Sequence, residues 1–433
     1  MLIDKAPLEL NSDFQYVLDQ LEKEGRSMFI TGRAGTGKST LLQLFRATTR
    51  KKTVVVAPTG IAALNVRGQT IHSFFGFPPR PLARHEIKKR RNRRLYSNLE
   101  VLVIDEISMV RADLLDNIDY FLRLNRDNRL PFGGVQVVFF GDLFQLPPVV
   151  ASDAEAMIFK LQYDSPYFFS AQVFEQQFEI DMVELQKVYR QDNRHFLRLL
   201  DAVRLNQIDY DDLTDFNERY IPDFEPEESS YITLSARNAR VDSINSRKLR
   251  DIPLIERVYL AVITGHFNPK LFPTEAALQL KISAQVMFIK NDPDRRFVNG
   301  TLGRVVKMTD HAVTVAIEQE NGSFTEVEVD PVEWEILKYK PSDKDPTQID
   351  AEPVGTFKQF PLKLAWAVTI HKAQGKTFDK VIIDLGRGAF EHGQTYVALS
   401  RCRTLEGIVL KQPLHPRDVM TDERVVDFYE QYF

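Results

Sequence analysis

The strongest constraint on the fold is the eight-residue stretch Gly32-Arg33-Ala34-Gly35-Thr36-Gly37-Lys38-Ser39. A glycine, four further residues and then Gly-Lys-Ser form the pattern of a phosphate-binding loop. An apolar run precedes the stretch and an amphipathic pattern follows it, so a strand, a turn and a helix N-terminus should meet here. Backbone N–H groups and the helix dipole would then point at one place. The pattern predicts a nucleotide site in an α/β fold, and a glycine-rich turn that binds nothing is the alternative.

The residue types of this loop suggest separate roles. Gly32, Gly35 and Gly37 allow unusual backbone angles and a close approach of the main chain to phosphates. Lys38 is predicted to reach the β- and γ-phosphates, and Ser39 is predicted to bind Mg²⁺. The predicted cofactors are therefore ATP and Mg²⁺.

The whole chain limits the protein class. A length of 433 residues suggests about two to four domains. The single cysteine, Cys402, excludes a disulfide framework and a cysteine zinc site, and it suits a reducing cytosol. We find no membrane-length apolar run and no signal-peptide pattern at the N-terminus. We expect a cytoplasmic monomer of bacterial or viral type, or a nuclear or mitochondrial protein in a eukaryote, without a membrane partner.

Charge is unevenly distributed along the chain. The net charge of −4 is not typical of a nucleic-acid-binding protein. Nevertheless, residues 88–94 contain six basic side chains, whereas residues 223–228 are acidic. A local basic surface can bind phosphates on an acidic protein. The more common alternative is a solvated face.

An acidic pair follows a second strong strand pattern, Val101–Ile104. The strand would deliver Asp105 and Glu106 to the carboxyl edge of the sheet, where ligands of open α/β sheets bind. Asp105 is predicted to hold Mg²⁺, and Glu106 to orient and deprotonate the attacking water. Gln145 follows a further apolar strand and would sense the γ-phosphate, unless its proline-rich loop is only structural. Together these residues indicate hydrolysis rather than nucleotide binding alone.

The region between these motifs contains a candidate strand-binding segment. The strand pattern Thr53–Ala57 runs into a turn that opens a helix, and residues 68–75 follow. His72 and two aromatic residues could contact a strand of bases and phosphates. The alternative is that Phe74 and Phe75 lie in the core.

The second half predicts another α/β unit with an insertion. A strand at 231–235 precedes a helix pattern, and the α/β pattern resumes at Pro361. From about 255 to 350, short strand patterns alternate with turn signals, which favours a small antiparallel β-barrel. We expect a polar loop at 341–353 and a helix at 393–403 whose end presents arginines.

The order of these motifs resembles superfamily-one helicases of the petite-integration-frequency (Pif) family, close to the RecD-type enzymes. The motifs are GRAGTGKST (32–40), APTGIAALNVRGQTIHSFF (57–75), VIDEISMV (103–110), GDLFQLPPV (141–149), LQKVYRQ (185–191), NGTLGRV (299–305), LAWAVTIHKAQGKTFDKV (364–381) and TYVALSRCR (395–403). The resemblance implies two RecA-like P-loop domains, a small wedge element and an inserted β-barrel of the Src-homology-three type. The implied bounds are domain 1A at 1–175 with a wedge at about 64–80, domain 2A at 176–254 and 354–433, and barrel 2B at 255–353.

The resemblance also implies roles for individual residues. Arg190 and Arg401 match arginines that reach the γ-phosphate as arginine fingers; an ion pair at a domain surface is the alternative. Gln15 is the candidate to read adenine, although it lies farther from Leu10-Asn11 than the family's glutamine does, and a solvated helix glutamine is the alternative. Further implied nucleotide contacts are Gly35, Thr36, Gly37, Thr40, Gly375 and Lys376. Implied nucleic-acid contacts are Thr59, Ile61, His72, Thr369, His371 and Lys372, with Ser235 and Arg237 as weaker candidates.

The function implied is an ATP-dependent DNA helicase that moves 5′→3′ on single-stranded DNA. Its partners would be single-stranded DNA with a 5′ tail and duplex, forked or G-quadruplex DNA, or RNA–DNA hybrids. Family roles would be DNA repair, recombination and telomere maintenance. Three alternatives stay open: a motor acting on RNA, a nucleotide-gated switch that binds strands without translocating, and a P-loop ATPase unrelated to nucleic acid.

Overall fold

The computed structural model describes residues 11–150, 153–176, 178–226, 231–319, 322–345 and 347–433. The described chain separates into two compact units. The N-terminal unit contains residues up to 189 together with 335–354 and 422–433, and the C-terminal unit contains residues 190–334 and 355–421.

The N-terminal unit is built on a six-stranded parallel sheet. Its strands are β1 (Met28–Gly32), β2 (Thr53–Ala57), β3 (Gln69–Thr70), β4 (Val101–Ile104), β5 (Gln136–Phe140) and β6 (Asp181–Leu185), in the spatial order β3-β2-β4-β5-β1-β6. Its helices are α1 (Ser12–Asp19), α2 (Lys38–Thr48), α3 (Gly60–Asn65), α4 (Ile71–Phe75), α5 (Arg94–Asn98), α6 (Ala112–Arg126) and α7 (Asp153–Gln162). The predicted α/β class is confirmed.

The burial of several strands of this sheet is explained by their apolar sequences. Strands β1, β4 and β5 are short apolar runs, and nearly all of their side chains are buried. Helices on both faces are what such fully apolar parallel strands require. All six strands run in one direction, so the segments after β1, β2, β4 and β5 emerge at one edge of the sheet.

The C-terminal unit contains a second parallel sheet and several antiparallel ones. In chain order its elements are α8 (Arg194–Arg204), α9 (Tyr210–Asn217), β7 (Ile232–Ser235), α10 (Asn238–Asp251), β8 (Arg257–Leu260), β9 (Val262–Gly265), β10 (Ala277–Leu280), β11 (Gln285–Phe288), β12 (Leu302–Met308), β13 (Val313–Glu318), β14 (Phe324–Val329), β15 (Val332–Pro341), β16 (Ile349–Gln359), β17 (Leu362–Leu364), β18 (Ala367–Thr369), α11 (Ile370–Ala373), β19 (Val381–Asp384), α12 (Gln394–Leu399) and β20 (Ile408–Leu410). The last helix, α13 (Glu423–Tyr432), belongs to the N-terminal unit.

The parallel sheet of the C-terminal unit has four strands in the order β18-β7-β19-β20. The insertion is antiparallel, as predicted, and its five-stranded sheet has the order β14-β13-β12-β11-β17. In its core the rings of Phe288 and Phe297 stack with their centroids 3.8 Å apart. Its assignment to the Src-homology-three type stays a prediction.

Three expectations about local structure were wrong. The α/β pattern does not resume at Pro361, because Leu362–Leu364 pairs with β11 of the inserted sheet. The polar loop expected at 341–353 is shorter than predicted, since β15 ends at Pro341 and β16 already begins at Ile349. The helix expected at 393–403 ends at Leu399, and Arg401 beyond it is buried rather than presented.

In the described ranges, no helix has the length and apolarity needed to cross a bilayer.

Candidate functional site

The loop after β1 has the backbone that a phosphate-binding loop requires. Gly32 has φ +147° and Gly37 has φ +87°, which non-glycine residues rarely adopt. A Cβ at Gly32 would lie 2.8 Å from the Leu185 carbonyl oxygen. The Lys38 ammonium donates to the carbonyl oxygens of Gly32 at 2.6 Å and Arg33 at 3.0 Å. These bonds hold its charge over the loop, where it can reach a phosphate.

The side chains around this loop divide by exposure. Thr36 is buried, and its hydroxyl donates to the Arg33 carbonyl at 3.0 Å, so it braces the loop. Ser39 and Thr40 lie exposed on the first turn of α2. The Ser39 hydroxyl therefore has the accessibility that a metal ligand needs.

The acidic pair lies at the end of β4, as predicted. Glu106 has φ +52° and ψ +46°, the left-handed conformation that costs a non-glycine residue energy and that clusters at functional sites. The turn after β4 passes close to Gly141. A Cβ at Gly141 would lie only 2.9 Å from Ile107 Cγ2, so the absence of a side chain permits this approach. Burial, and then the neighbouring Glu106 charge, raise the pKa of Asp105 to about 8. A carboxylate in such surroundings favours a bound cation.

Gln145 lies in the loop that follows β5, and it is buried. Its amide nitrogen donates to Asp142 Oδ2 at 3.0 Å, while the backbone N–H of Phe144 donates to Asp142 Oδ1 at 3.3 Å. One buried aspartate thus fixes both the glutamine and the aromatic residue before it.

The predicted arginine fingers lie together in the C-terminal unit. Arg190 donates from Nε to Thr377 Oγ1 at 2.7 Å and from Nη1 to the Ser400 carbonyl at 3.0 Å. Arg401 donates to the Val397 carbonyl at 2.9 Å. Burial, and then Arg401, lower the pKa of Arg190. The two guanidinium groups form a site that an anion would stabilise.

Lys376 adds a third cation to this cluster. Its pKa falls to about 8 because burial, Arg401 and Lys363 all disfavour its charge. Its ammonium donates to the Lys372 carbonyl at 2.9 Å. The preceding Gly375 has φ +78° and is exposed, so the chain turns sharply beside the cations.

The strand-contact candidates of the N-terminal unit lie after neighbouring strands. Thr59 caps α3 by accepting the Ala62 N–H at 3.2 Å, and Ile61 beside it is 44% exposed. His72 lies half-buried on α4, and burial, then Arg111, lower its pKa. Because β2 pairs with β3, these two short helices begin at the same edge of the sheet. Phe74 and Phe75 are both in the core, which confirms the structural alternative for them.

The candidates of the C-terminal unit differ in accessibility. Thr369 caps α11 by accepting the Lys372 N–H at 3.3 Å, and Lys372 is exposed. His371 Nε2 lies 3.0 Å from a carboxylate oxygen of Glu391. Ser235 is buried, which leaves its exposed neighbour Arg237 as the more accessible of the two weaker candidates.

The basic run 88–94 is partly structural. Lys89 and Arg93 both form ion pairs with Asp127. Arg90 donates to the Phe75 carbonyl at 2.5 Å. Lys88, Arg91 and Arg94 are exposed and form what remains of the predicted basic surface.

Comparison with known proteins settles the family. A family model described as PIF1-like helicase matches residues 9–213. An ATP-dependent DNA helicase Pif1 of Bdellovibrio bacteriovorus is 34% identical over 438 residues, which cover 98% of this chain and 92% of that relative. This chain belongs to the Pif1 helicase family.

Other members of the Pif1 family are longer. The chain covers 63% of the PIF1 helicase of Emericella nidulans, at 34% identity over 98% of its own length. Among solved structures, Bacteroides Pif1 in complex with ADP-AlF4 has a TM-score of 0.90 and 38% identity, covering 98% of this chain and 97% of that one. Bacteroides Pif1 bound to single-stranded DNA has a TM-score of 0.68 with the same identity and the same shares of both chains.

The Pif1-family chain has one candidate residue that motif spacing missed. The Tyr189 N–H donates to the Gly35 carbonyl of the phosphate loop at 2.9 Å. Its hydroxyl accepts from Asn11 Nδ2 at 3.0 Å, and its ring is 49% exposed. The signal available in the sequence was an aromatic residue directly before Arg190. Gln15 lies on the exposed side of α1.

The residues present fit Mg²⁺ bound together with a nucleotide. Within the described ranges, no group of three or more His, Cys, Asp or Glu residues could hold a metal ion. Asp105 and the exposed Ser39 hydroxyl are the residues that would hold a divalent cation with the help of phosphate oxygens, which is how Mg²⁺ is usually bound at phosphate sites.

Proposed function

We propose that this chain is an ATP-dependent DNA helicase that translocates 5′→3′ on single-stranded DNA. The observation that carries the proposal is the acidic pair at the end of β4, held in a strained turn at the sheet edge that also carries the phosphate loop. Nucleotide binding alone does not need Glu106 in a left-handed conformation. The single-stranded DNA complex of the Bacteroides relative supports DNA as the track, and the direction rests on the family resemblance alone.

The hydrolytic roles are assigned to residues of the phosphate loop and to residues that follow β4 and β5. Glu106 would accept the proton of the attacking water, an effect worth about 10²–10⁴ in rate. Lys38 would neutralise charge on the β- and γ-phosphates, and Gln145 would orient groups at the γ-phosphate. Mg²⁺ held by Asp105 and Ser39 would supply charge neutralisation of the phosphates.

The cations of the C-terminal unit complete this scheme. Arg190 and Arg401 are assigned to the charge that develops on the transferred phosphoryl group. Lys376 and Gly375 would lie near the same nucleotide. The exposed ring of Tyr189, held between the phosphate loop and Asn11, offers a flat face to the base, and Gln15, exposed on α1, stays the candidate for adenine recognition.

Strand contact is assigned to two threonine-capped helix starts. Thr59, Ile61 and His72 would contact the strand in the N-terminal unit. In the C-terminal unit, the strand would be contacted by Thr369, His371, Lys372 and Arg237. Ser235 is buried and would only hold the backbone turn that leads to Arg237. We assign the N-terminal unit to domain 1A, extending the expected bounds 1–175 to include β6, with the wedge at about 64–80. The expected bounds 255–353 are kept for domain 2B, and the parallel sheet of the C-terminal unit is assigned to domain 2A.

We further propose forked duplex, G-quadruplex and RNA–DNA hybrids as substrates, a monomer as the working form, and action inside the cell. Roles in repair, recombination and telomere maintenance would follow the family.

The first experiment is ATP hydrolysis by wild type and Glu106→Gln, with and without oligo-dT at low salt. We expect strong stimulation in the wild type and a loss of about 10²–10⁴-fold in the variant. Glu24→Gln, an exposed carboxylate of the same unit, is the control and should match wild type. Hydrolysis that ignores oligo-dT would contradict the helicase proposal and return the chain to a P-loop ATPase of unknown partner.

Unwinding assays separate the remaining alternatives. A duplex with a 5′ tail should be opened, and one with a 3′ tail should not. Stimulation by RNA equal to that by DNA would favour the RNA motor. Strand binding without displacement of a block on the track would favour the nucleotide-gated switch.

A further inference from the structure

The last helix, α13, packs against elements of the nucleotide site within the N-terminal unit. The Tyr429 hydroxyl donates to the Glu184 carboxylate, with distances of 3.0 and 2.9 Å to its two oxygens. The Tyr429 ring meets Phe144 edge to face at 5.1 Å. The residue directly before Tyr429, Phe428, stacks on Phe169 with ring centroids 4.4 Å apart, so the helix is held by aromatic packing as well as by the hydrogen bonds.

Both partners of Tyr429 are adjacent to groups assigned to hydrolysis. Phe144 directly precedes Gln145, and both residues bind the same Asp142 side chain. Phe144 is itself buried, so a shift of its ring would move the backbone that carries Gln145. Tyr429 therefore contacts the loop that holds the proposed γ-phosphate sensor.

Glu184 connects the same tyrosine to the other side of the site. It lies on β6 opposite Thr31, one residue before Leu185 pairs with Gly32 of the phosphate loop. From β6 the chain continues to Tyr189, whose N–H donates to Gly35, and then to Arg190. A displacement of Glu184 would reach the phosphate loop through this strand.

The helix is also the direct covalent continuation of the C-terminal unit. The boundary between the units falls between Thr421 and Asp422, and Asp422 caps the helix by accepting the Arg424 N–H at 3.1 Å. On the other side of the boundary, the Thr421 hydroxyl donates to the Arg204 carbonyl at 3.3 Å. Both ends of this short connection are therefore fixed.

We propose that Tyr429 is a positioning residue for ATP hydrolysis. It holds the Gln145 loop and strand β6 in register. The proposal rests on the ATPase function proposed above, because Gln145 has no role without a γ-phosphate. It assigns no contact between Tyr429 and the nucleotide.

The test is steady-state ATP hydrolysis by the full chain with saturating oligo-dT. Tyr429→Phe keeps the ring and removes the hydrogen bonds to a charged group, and we expect kcat to fall about tenfold with KM for ATP unchanged. Tyr432→Phe on the same helix removes a hydroxyl from a side chain that is 46% exposed, and it should match wild type. Thermal melting of each variant checks that the fold is intact.

A double-mutant cycle makes the test specific. Glu184→Gln keeps an oxygen that can accept from the tyrosine, so its kcat should fall less than that of Tyr429→Phe. The two changes combined should cost no more than Tyr429→Phe alone, because they break the same contact.

The results that overturn the proposal are distinct from failure of the ATPase function. An inactive wild type would refute the ATPase itself. An active wild type with unchanged kcat in Tyr429→Phe, additive losses in the cycle, or a rise in KM without a change in kcat would refute the positioning role alone.

Discussion

The two parallel sheets use the same local device for different chemistry. In the N-terminal unit, Thr59 caps a short helix directly after β2, and in the C-terminal unit Thr369 caps a short helix directly after β18. Beyond these threonines the sheets differ. The first carries a glycine loop and two carboxylates at its edge, whereas the C-terminal unit contributes partly buried Arg190 and buried Arg401, which donate to neutral carbonyls. A repeated fold thus supplies a scaffold, and the chemistry depends on which residues follow each strand.

The largest expected effect concerns the arginines of the C-terminal unit. Arg190→Ala should lower kcat about 10³-fold, because the guanidinium is assigned to transition-state charge. Nucleotide affinity, measured by titration with a fluorescent ATP analogue, should change little. Arg403→Ala is the matched control, since Arg403 is exposed and pairs with an exposed Asp379. Equal losses in both variants would break the assignment.

The carboxyl group of Asp105 predicts that, in the absence of metal and nucleotide, the stability of the protein depends on pH. The pKa of Asp105 is raised to about 8 in the folded state and lies near 3.8 when unfolded. The folded state then binds the extra proton, so the free energy of unfolding should fall as pH rises from about 4 to 8. Asp105→Asn should remove this fall and melt about 5–10 °C higher than wild type at pH 8. Identical melting curves against pH for the two proteins would contradict the buried-carboxylate interpretation.

The shared threonine caps predict a smaller and symmetrical effect. Thr59→Ala and Thr369→Ala each remove an N-cap worth about 1 kcal/mol. Each should raise the oligo-dT concentration needed for half-maximal ATPase stimulation several-fold, while serine at either position should restore it. An effect at only one of the two positions would show that the sheets do not grip the strand in equivalent ways.

The smallest effect concerns the edge of the first sheet. Strand β3 has only two residues, and Val55 of β2 donates its N–H to the Tyr339 hydroxyl at 3.3 Å, while the Tyr339 N–H donates to Gln69. Tyr339→Phe should lower the free energy of unfolding by about 1 kcal/mol because a buried N–H loses its acceptor. Tyr210→Phe, at an 81% exposed position, is the control for chemical denaturation. No difference between the two variants would show that the tyrosine does not complete this edge.

Sequence reasoning found the parts of the fold with a strong local signal. Strands β1, β2, β4 and β5 are apolar runs, and the phosphate loop and acidic pair directly follow two of them. It missed β3, which is too short for a pattern, and β6, which mixes Asp181 and Glu184 with apolar residues. It also missed the extension of β15 and β16 through polar residues, because the burial that fixes Tyr339 depends on distant β2 and α4.

The candidate site divides along the same line. The positions of Lys38, Asp105 and Glu106 at strand ends follow from spacing, and the structure places them there. The burial of Arg401 and Ser235 and the contact of Tyr189 with Gly35 arise from tertiary packing, which no local pattern encodes. The roles of all these residues stay predictions until the variants are measured.

The division of the chain into units has a consequence for the stability of fragments of the protein. From residue 11 onward, the backbone passes between the units after residues 189, 334, 354 and 421. A fragment ending at residue 189 would lack Tyr339, which completes the edge of β2, and Phe428, which covers Phe169. The first 189 residues alone are therefore not a complete folding module, and a fragment ending there should unfold at a lower temperature than the full chain.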